Sequence, residues 1–154
     1  MIDHCPHCGG VLGSDAPKRH RSAPQHRRFF ALVRAAFFNW PEAHEFRPHS
    51  EDHLRYWLEC RAGHYTVTTT ARIESADPDK VHALVRAFLR HSKDDKLFLE
   101  LDGSLLIEKR TKSIDYASIA PAEFGRLVDA IAEIIEAEVG IAADKLLRGA
   151  ERAA

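Results

Sequence analysis

Leu97-Phe98-Leu99-Glu100-Leu101-Asp102-Gly103-Ser104-Leu105-Leu106-Ile107-Glu108 is the stretch that decides the fold. Two short apolar runs flank Asp102-Gly103, and a two-residue Asp-Gly connection predicts an antiparallel hairpin with a type I′ turn, both turn residues at positive φ. Upstream, Tyr65-Thr66-Val67-Thr68-Thr69-Thr70 is aromatic and β-branched, which favours another strand. The remaining periodic segments read as helices. Ser22-Ala23-Pro24-Gln25 has the form of a capping box, and Phe29, Leu32, Val33, Ala36, Phe37 and Trp40 then recur every three or four residues until Pro41 ends the helix. A second helix starts at Ser50, turns Leu54, Trp57 and Leu58 inward and stops at Gly63. Asp77-Pro78 opens a third, whose Val81, Leu84, Val85, Phe88 and Leu89 form a stripe expected to be buried. Pro121 leads a long fourth helix striped by Phe124, Leu127, Val128, Ile131, Ile134 or Ile135 and Val139 and closed by Gly140, and Ala142 to Arg152 supplies a fifth. The expected fold class is α+β: helices packed on a small antiparallel sheet, with an N-terminal zinc-knuckle-like segment. Residues 1–14 form that knuckle, and residues 15–154 form a single α+β domain.

A chain of 154 residues suits this organisation. No window approaches the roughly 18 apolar residues of a membrane span. The first residues carry no cationic leader or apolar core, and only three cysteines are present, so a cytoplasmic, reducing location is expected. The net charge of −1 hides a gradient. Residues 1–40 hold six Lys and Arg against two Asp and Glu, whereas residues 41–80 and 111–154 each hold five against eight.

Two of the cysteines form Cys5-Pro6-His7-Cys8, a knuckle that presents two thiolates to one Zn²⁺. A tetrahedral structural site needs four ligands, and the natural completion is the Cys-x₃-His pair Cys60 and His64, with His4, His7 or His20 as substitutes. The plainer reading makes Cys60 a small buried hydrophobe behind Trp57 and leaves His64 at a strand edge. The basic segment Lys18, Arg19, Arg21, Arg27 and Arg28 lies at and before the start of the first helix, where unsatisfied N–H groups and the helix dipole also favour anions. Lys109-Arg110-Thr111-Lys112 follows the hairpin. If the two clusters are neighbours they frame a groove, with Phe30, Phe38 or Trp40 as stacking faces for unpaired bases. The competing expectation is that the arginines meet the chain's own acidic stretches.

No nucleophile elbow, phosphate-binding loop or His-Glu-x-x-His is present, so the chain is not expected to be an enzyme. Asp102 with Glu108 and Lys109 gives only a faint echo of a metal-dependent nuclease.

Arg21-Ser22-Ala23-Pro24-Gln25-His26-Arg27 resembles the Arg-Ser-x-x-Gln-x-Arg signature that opens a helix in phage NinB (Orf-type) recombination proteins. Lys112-Ser113-Ile114, then Ala122-Glu123-Phe124 and a long striped helix, is similar to their C-terminal part. Leu54-Arg55-Tyr56-Trp57-Leu58 resembles related uncharacterised phage and prophage proteins. Phe30 and His26 stand where the NinB pattern has tryptophan and asparagine. The resemblance implies a homodimer that binds single-stranded DNA and assists recombination, with Arg21, Gln25, Arg27 and Arg28 contributing to the contact. The leading expectation is therefore an accessory protein for single-stranded nucleic acid, using Lys18, Arg19, Arg21, Gln25, Arg27, Arg28, Lys109, Arg110 and Lys112. The alternative is a protein-interaction module that recruits or inhibits a host enzyme.

Overall fold

The computed structural model describes residues 23–73 and 77–153. The Cys5–Cys8 knuckle, the connector with Lys18, Arg19 and Arg21, and Ser22 of the expected capping box lie outside the described residues. Helix α1 spans Ala23–Phe38 and buries Phe29, Leu32, Val33, Ala35 and Ala36. It ends before Trp40, because Pro41 disfavours helical geometry in the residue ahead of it, and Asn39 turns its side-chain amide back to the Ala35 carbonyl at 2.8 Å. Helix α2 (Glu51–Arg61) starts at Ser50, whose hydroxyl accepts from the His53 backbone N–H, and the chain turns out at Gly63 with φ of +86°.

Strand β1 (Tyr65–Arg72) follows, then α3 (Pro78–His91), capped by Asp77, and the hairpin β2 (Leu97–Asp102) and β3 (Leu105–Thr111). The three strands form an antiparallel sheet in the order β1-β3-β2. The hairpin is as expected, but its turn is displaced by one residue. Asp102 pairs with Leu105, leaving Gly103-Ser104 as the loop. Gly103 has φ of +58° and no non-glycine residue among those described has positive φ. That is the pattern of a type II′ turn, which asks for glycine at the first central position only and so spares Asp102 a left-handed backbone.

Helix α4 (Pro121–Val139) ends at Gly140 with φ of +75°, and α5 (Ala143–Ala153) has its first N–H capped by the Glu136 carboxylate at 2.9 Å. Helices α1, α2, α4 and α5 share one core, centred on the fully buried Phe29, Leu54, Leu58, Phe124, Ile131 and Ile135. Alternation along the strands then assigns the two sheet faces. Phe98 meets Phe46 and His53 on the face toward α2, whereas Leu99, Leu106 and Glu108 line the face toward α3. Among the described residues the sheet is thus a partition, with the helical core on one side and α3 on the other.

Candidate functional site

Lys18, Arg19 and Arg21 of the expected basic groove lie outside the described residues, and among the described ones the second cluster is not presented on a single face. Strand alternation sends Lys109 and Arg110 to opposite faces of β3. The Lys109 side chain is only 13% exposed; it is paired with Glu100 and sits 4.5 Å above the Tyr65 ring. Partial burial works against its charge, but the hydrogen bond and ion pair with Glu100 hold the ammonium above its ordinary pKa. Arg110 Nη1 donates to Asp94 Oδ2 at 2.6 Å. Burial opposes that carboxylate's charge, yet the Arg110 hydrogen bond keeps its pKa below the usual range. Arg28 reaches across to α5 and pairs with Asp144 at 2.7 Å.

Arg27 and Lys112 remain exposed, and neither has a carboxylate partner among the described residues. Gln25 is half-buried where α1 and α4 meet; its Nε2 lies 3.7 Å from the point a Cβ on Gly125 would occupy. Of the expected stacking aromatics, Phe38 is 69% exposed, but it lies eleven residues, about 16 Å, along α1 from Arg27. Phe30 lies beneath the Arg55 guanidinium, and Trp40 donates to the Phe46 carbonyl inside a cluster with Trp57 and His44. An aromatic that sequence reasoning did not select joins Phe30 against His26: Tyr116, half-exposed, stacks on the His26 ring with centroids 5.2 Å apart.

Of the four expected zinc ligands, only Cys60 and His64 are described. Cys60 is half-buried, and burial pushes its thiol up to about 11. His64 is buried, with Nε2 at 3.2 Å from the Ser113 carbonyl. No group of three metal-ligating side chains among the described residues includes either of them. Asp102 and Glu108 do not converge either: they lie three register positions apart on the hairpin, about 10 Å. A different set does come together: His49, His53 and Asp95 place one ligand atom each within 4.8 Å of one another. Burial, then the neighbouring His49, lower the His53 pKa, against a smaller opposing pull from Asp95.

The feature furthest from expectation is α3. Its stripe has the period the sequence predicts, and Val81 is buried. Leu84 and Phe88, expected in the core, are 70% and 53% exposed. They stand over an open groove of about 610 Å³, whose floor includes Ile73, Leu99 and Leu106 and whose sides include Lys80 and Glu108. The period was legible in the sequence; that no element among the described residues covers these side chains was not, because the helical core lies on the other face of the sheet.

Comparison with protein-family models, with curated proteins and with solved structures finds no match, so the likeness to NinB proteins rests on the motif residues alone.

Proposed function

We propose that this chain is a protein-interaction module whose docking surface is the groove between α3 and the sheet. The observation that carries this reading is the pair Leu84 and Phe88, large apolar side chains left in water one helical turn apart. Since they are 70% and 53% exposed, covering them is worth at most about 1.5–3 kcal/mol each. Association itself costs at least about 4 kcal/mol, so a useful partner must also fill the groove floor. Side chains four apart form a ridge that packs into the grooves of a facing helix, so the occupant is an amphipathic helical segment of another protein. Lys80, in an exposed pair with Asp77, and Glu108, which accepts from the Thr68 hydroxyl, put one charge of each sign beside the apolar floor.

The internal pairing of Arg28, Lys109 and Arg110 also favours this reading over nucleic-acid binding, since each cation already has a carboxylate. The test is titration of the labelled chain with amphipathic helical peptides carrying leucine or phenylalanine anchors. Saturable binding that Leu84→Asp with Phe88→Asp abolishes supports the reading. Equal binding by sequence-scrambled peptides defeats it, and concentration-dependent self-association through α3 identifies a second copy of this chain as the occupant instead.

A second reading keeps single-stranded nucleic acid as ligand and follows the NinB resemblance. It is favoured by Tyr116 stacked on His26 beside the exposed Arg27, with Lys112 four residues ahead of Tyr116 in the chain. Exposed ion pairs are worth at most about 1 kcal/mol, so phosphate can displace the Asp144 carboxylate from Arg28. With Arg27 and Lys112 alone, log K falls against log salt with a slope of about −1.4; recruiting two more cations steepens it to about −3. Fluorescent oligonucleotide titrations at several salt concentrations measure that slope. Absence of binding at low salt removes this second reading and leaves the docking module standing.

A further inference from the structure

His49-Ser50-Glu51-Asp52-His53 carries two imidazoles four residues apart, straddling the start of α2. Across from them, Asp95 lies in the turn between α3 and β2. His49 Nε2 is 3.1 Å from Asp95 Oδ1 and 3.2 Å from Oδ2. The His49 and His53 rings lie 4.2 Å apart, and one ligand atom from each of the three residues falls within 4.8 Å of the others. Zinc bonds to nitrogen and oxygen run about 2.0–2.2 Å, which puts ligand atoms about 3.3–3.6 Å apart at the corners of a tetrahedron. The cluster therefore sits within a small side-chain rotation of a metal-ligand triangle, and His49, which is mostly exposed, is free to make that rotation.

The other two ligands are held by contacts that need no metal. The His53 backbone N–H is fixed on the Ser50 hydroxyl at 3.1 Å, and its ring is set edge-on to Phe46 and parallel to Phe98. The turn bearing Asp95 is fastened through Asp94, which accepts from Arg110 and from the Lys96 N–H while its own N–H donates to the Ser92 hydroxyl. A cation at a helix N-terminus meets the positive end of the dipole, and here the Asp95 carboxylate offsets that repulsion, the first-turn acids Glu51 and Asp52 being paired with Arg34 and Arg55.

The geometry points to a surface site for a divalent transition metal, formed by His49, His53 and Asp95, with its remaining coordination positions open to water. Two imidazoles and one carboxylate suit Zn²⁺ and its first-row neighbours Co²⁺, Ni²⁺ and Cu²⁺ and suit Ca²⁺ or Mg²⁺ poorly. Three protein ligands with an open position make a different kind of centre from the closed Cys-rich set expected for the Cys5–Cys8 knuckle, which lies outside the described residues.

Cobalt distinguishes the two, because thiolate ligands add near-ultraviolet charge-transfer absorption that nitrogen and oxygen ligands lack. The full chain carrying Cys5→Ser and Cys8→Ser is titrated with Co²⁺, then competed with Zn²⁺. The expected result is one equivalent bound, with visible ligand-field bands and no thiolate band, and affinity lowered at least about tenfold by His49→Ala and by Asp95→Asn. Both substitutions fall outside the helical core, and unchanged urea unfolding of the metal-free variants verifies that the fold is intact. No binding below about 1 mM Co²⁺ overturns the site, as does binding that both substitutions leave within about twofold. Either result makes the His49–Asp95 contact a hydrogen-bonded pair only.

Discussion

Glu59 is fully buried in α2, with one carboxylate oxygen 2.8 Å from Arg55 Nη1 and the other without a hydrogen-bond partner among the described residues. Burial pushes its carboxyl up from the ordinary 4.5 to about 7, against the pull of Arg55. A carboxyl whose folded pKa is raised holds its proton better folded than unfolded. Its contribution to stability is therefore complete below about pH 4.5 and lost as pH rises through about 7. The informative quantity is the difference between wild type and Glu59→Gln, which cancels the response of every other group. Urea unfolding across that window is expected to show wild type losing stability relative to the variant as pH rises; a flat difference contradicts the assignment. Cys60 offers a second check at this scale. With its thiol raised to about 11, almost none is thiolate at neutral pH. In a chain with Cys5→Ser and Cys8→Ser, alkylation at pH 7.5 is expected to be much slower for native protein than for urea-unfolded protein. Equal rates would show Cys60 to be open and unperturbed.

Helix α3 and helix α4 carry stripes that look alike in sequence and behave differently in the fold. Phe124 of α4 is fully buried against Phe29 with ring centroids 5.5 Å apart, so Phe124→Ala is expected to cost about 3–5 kcal/mol in urea unfolding. Leu84→Ala on α3 is expected to stay within about 0.5 kcal/mol of wild type, because the side chain it removes is already in solvent. Comparable losses at the two positions would mean that α3 is covered. The elements themselves were readable: proline and glycine punctuation, the Ser50 and Asp77 caps and the apolar periods mark five helices and three strands. The turn between β2 and β3 was misread by one residue, since Asp-Gly suits a type I′ turn in isolation while pairing of Asp102 with Leu105 lets glycine alone take positive φ. The separation of Lys109 from Arg110 follows from strand alternation and was legible in principle. Their carboxylate partners were not, because ion pairing across the fold leaves no periodic trace in the chain.

At the scale of the whole molecule, the sheet divides the protein into two unequal parts. Among the described residues, one face is closed by four helices around a single core, and the other carries α3 over an open apolar groove. Among the described residues no helix is long and apolar enough to cross a membrane, so the uncovered face is not part of a spanning helix. The proposed docking of a partner's helix rests on its exposed apolar side chains, whereas the cations Arg28 on α1 and Lys109 and Arg110 on β3 are each paired with a carboxylate. The most direct measurement is amide chemical-shift mapping of the isotope-labelled chain against amphipathic helical peptides and their scrambled counterparts. Saturable shifts confined to Ile73, Leu84, Phe88, Leu99 and Leu106, absent with scrambled peptides and abolished by Leu84→Asp with Phe88→Asp, are the predicted result. Shifts that gather instead at Arg27, Lys112 and Tyr116, or that the double substitution leaves in place, would contradict it.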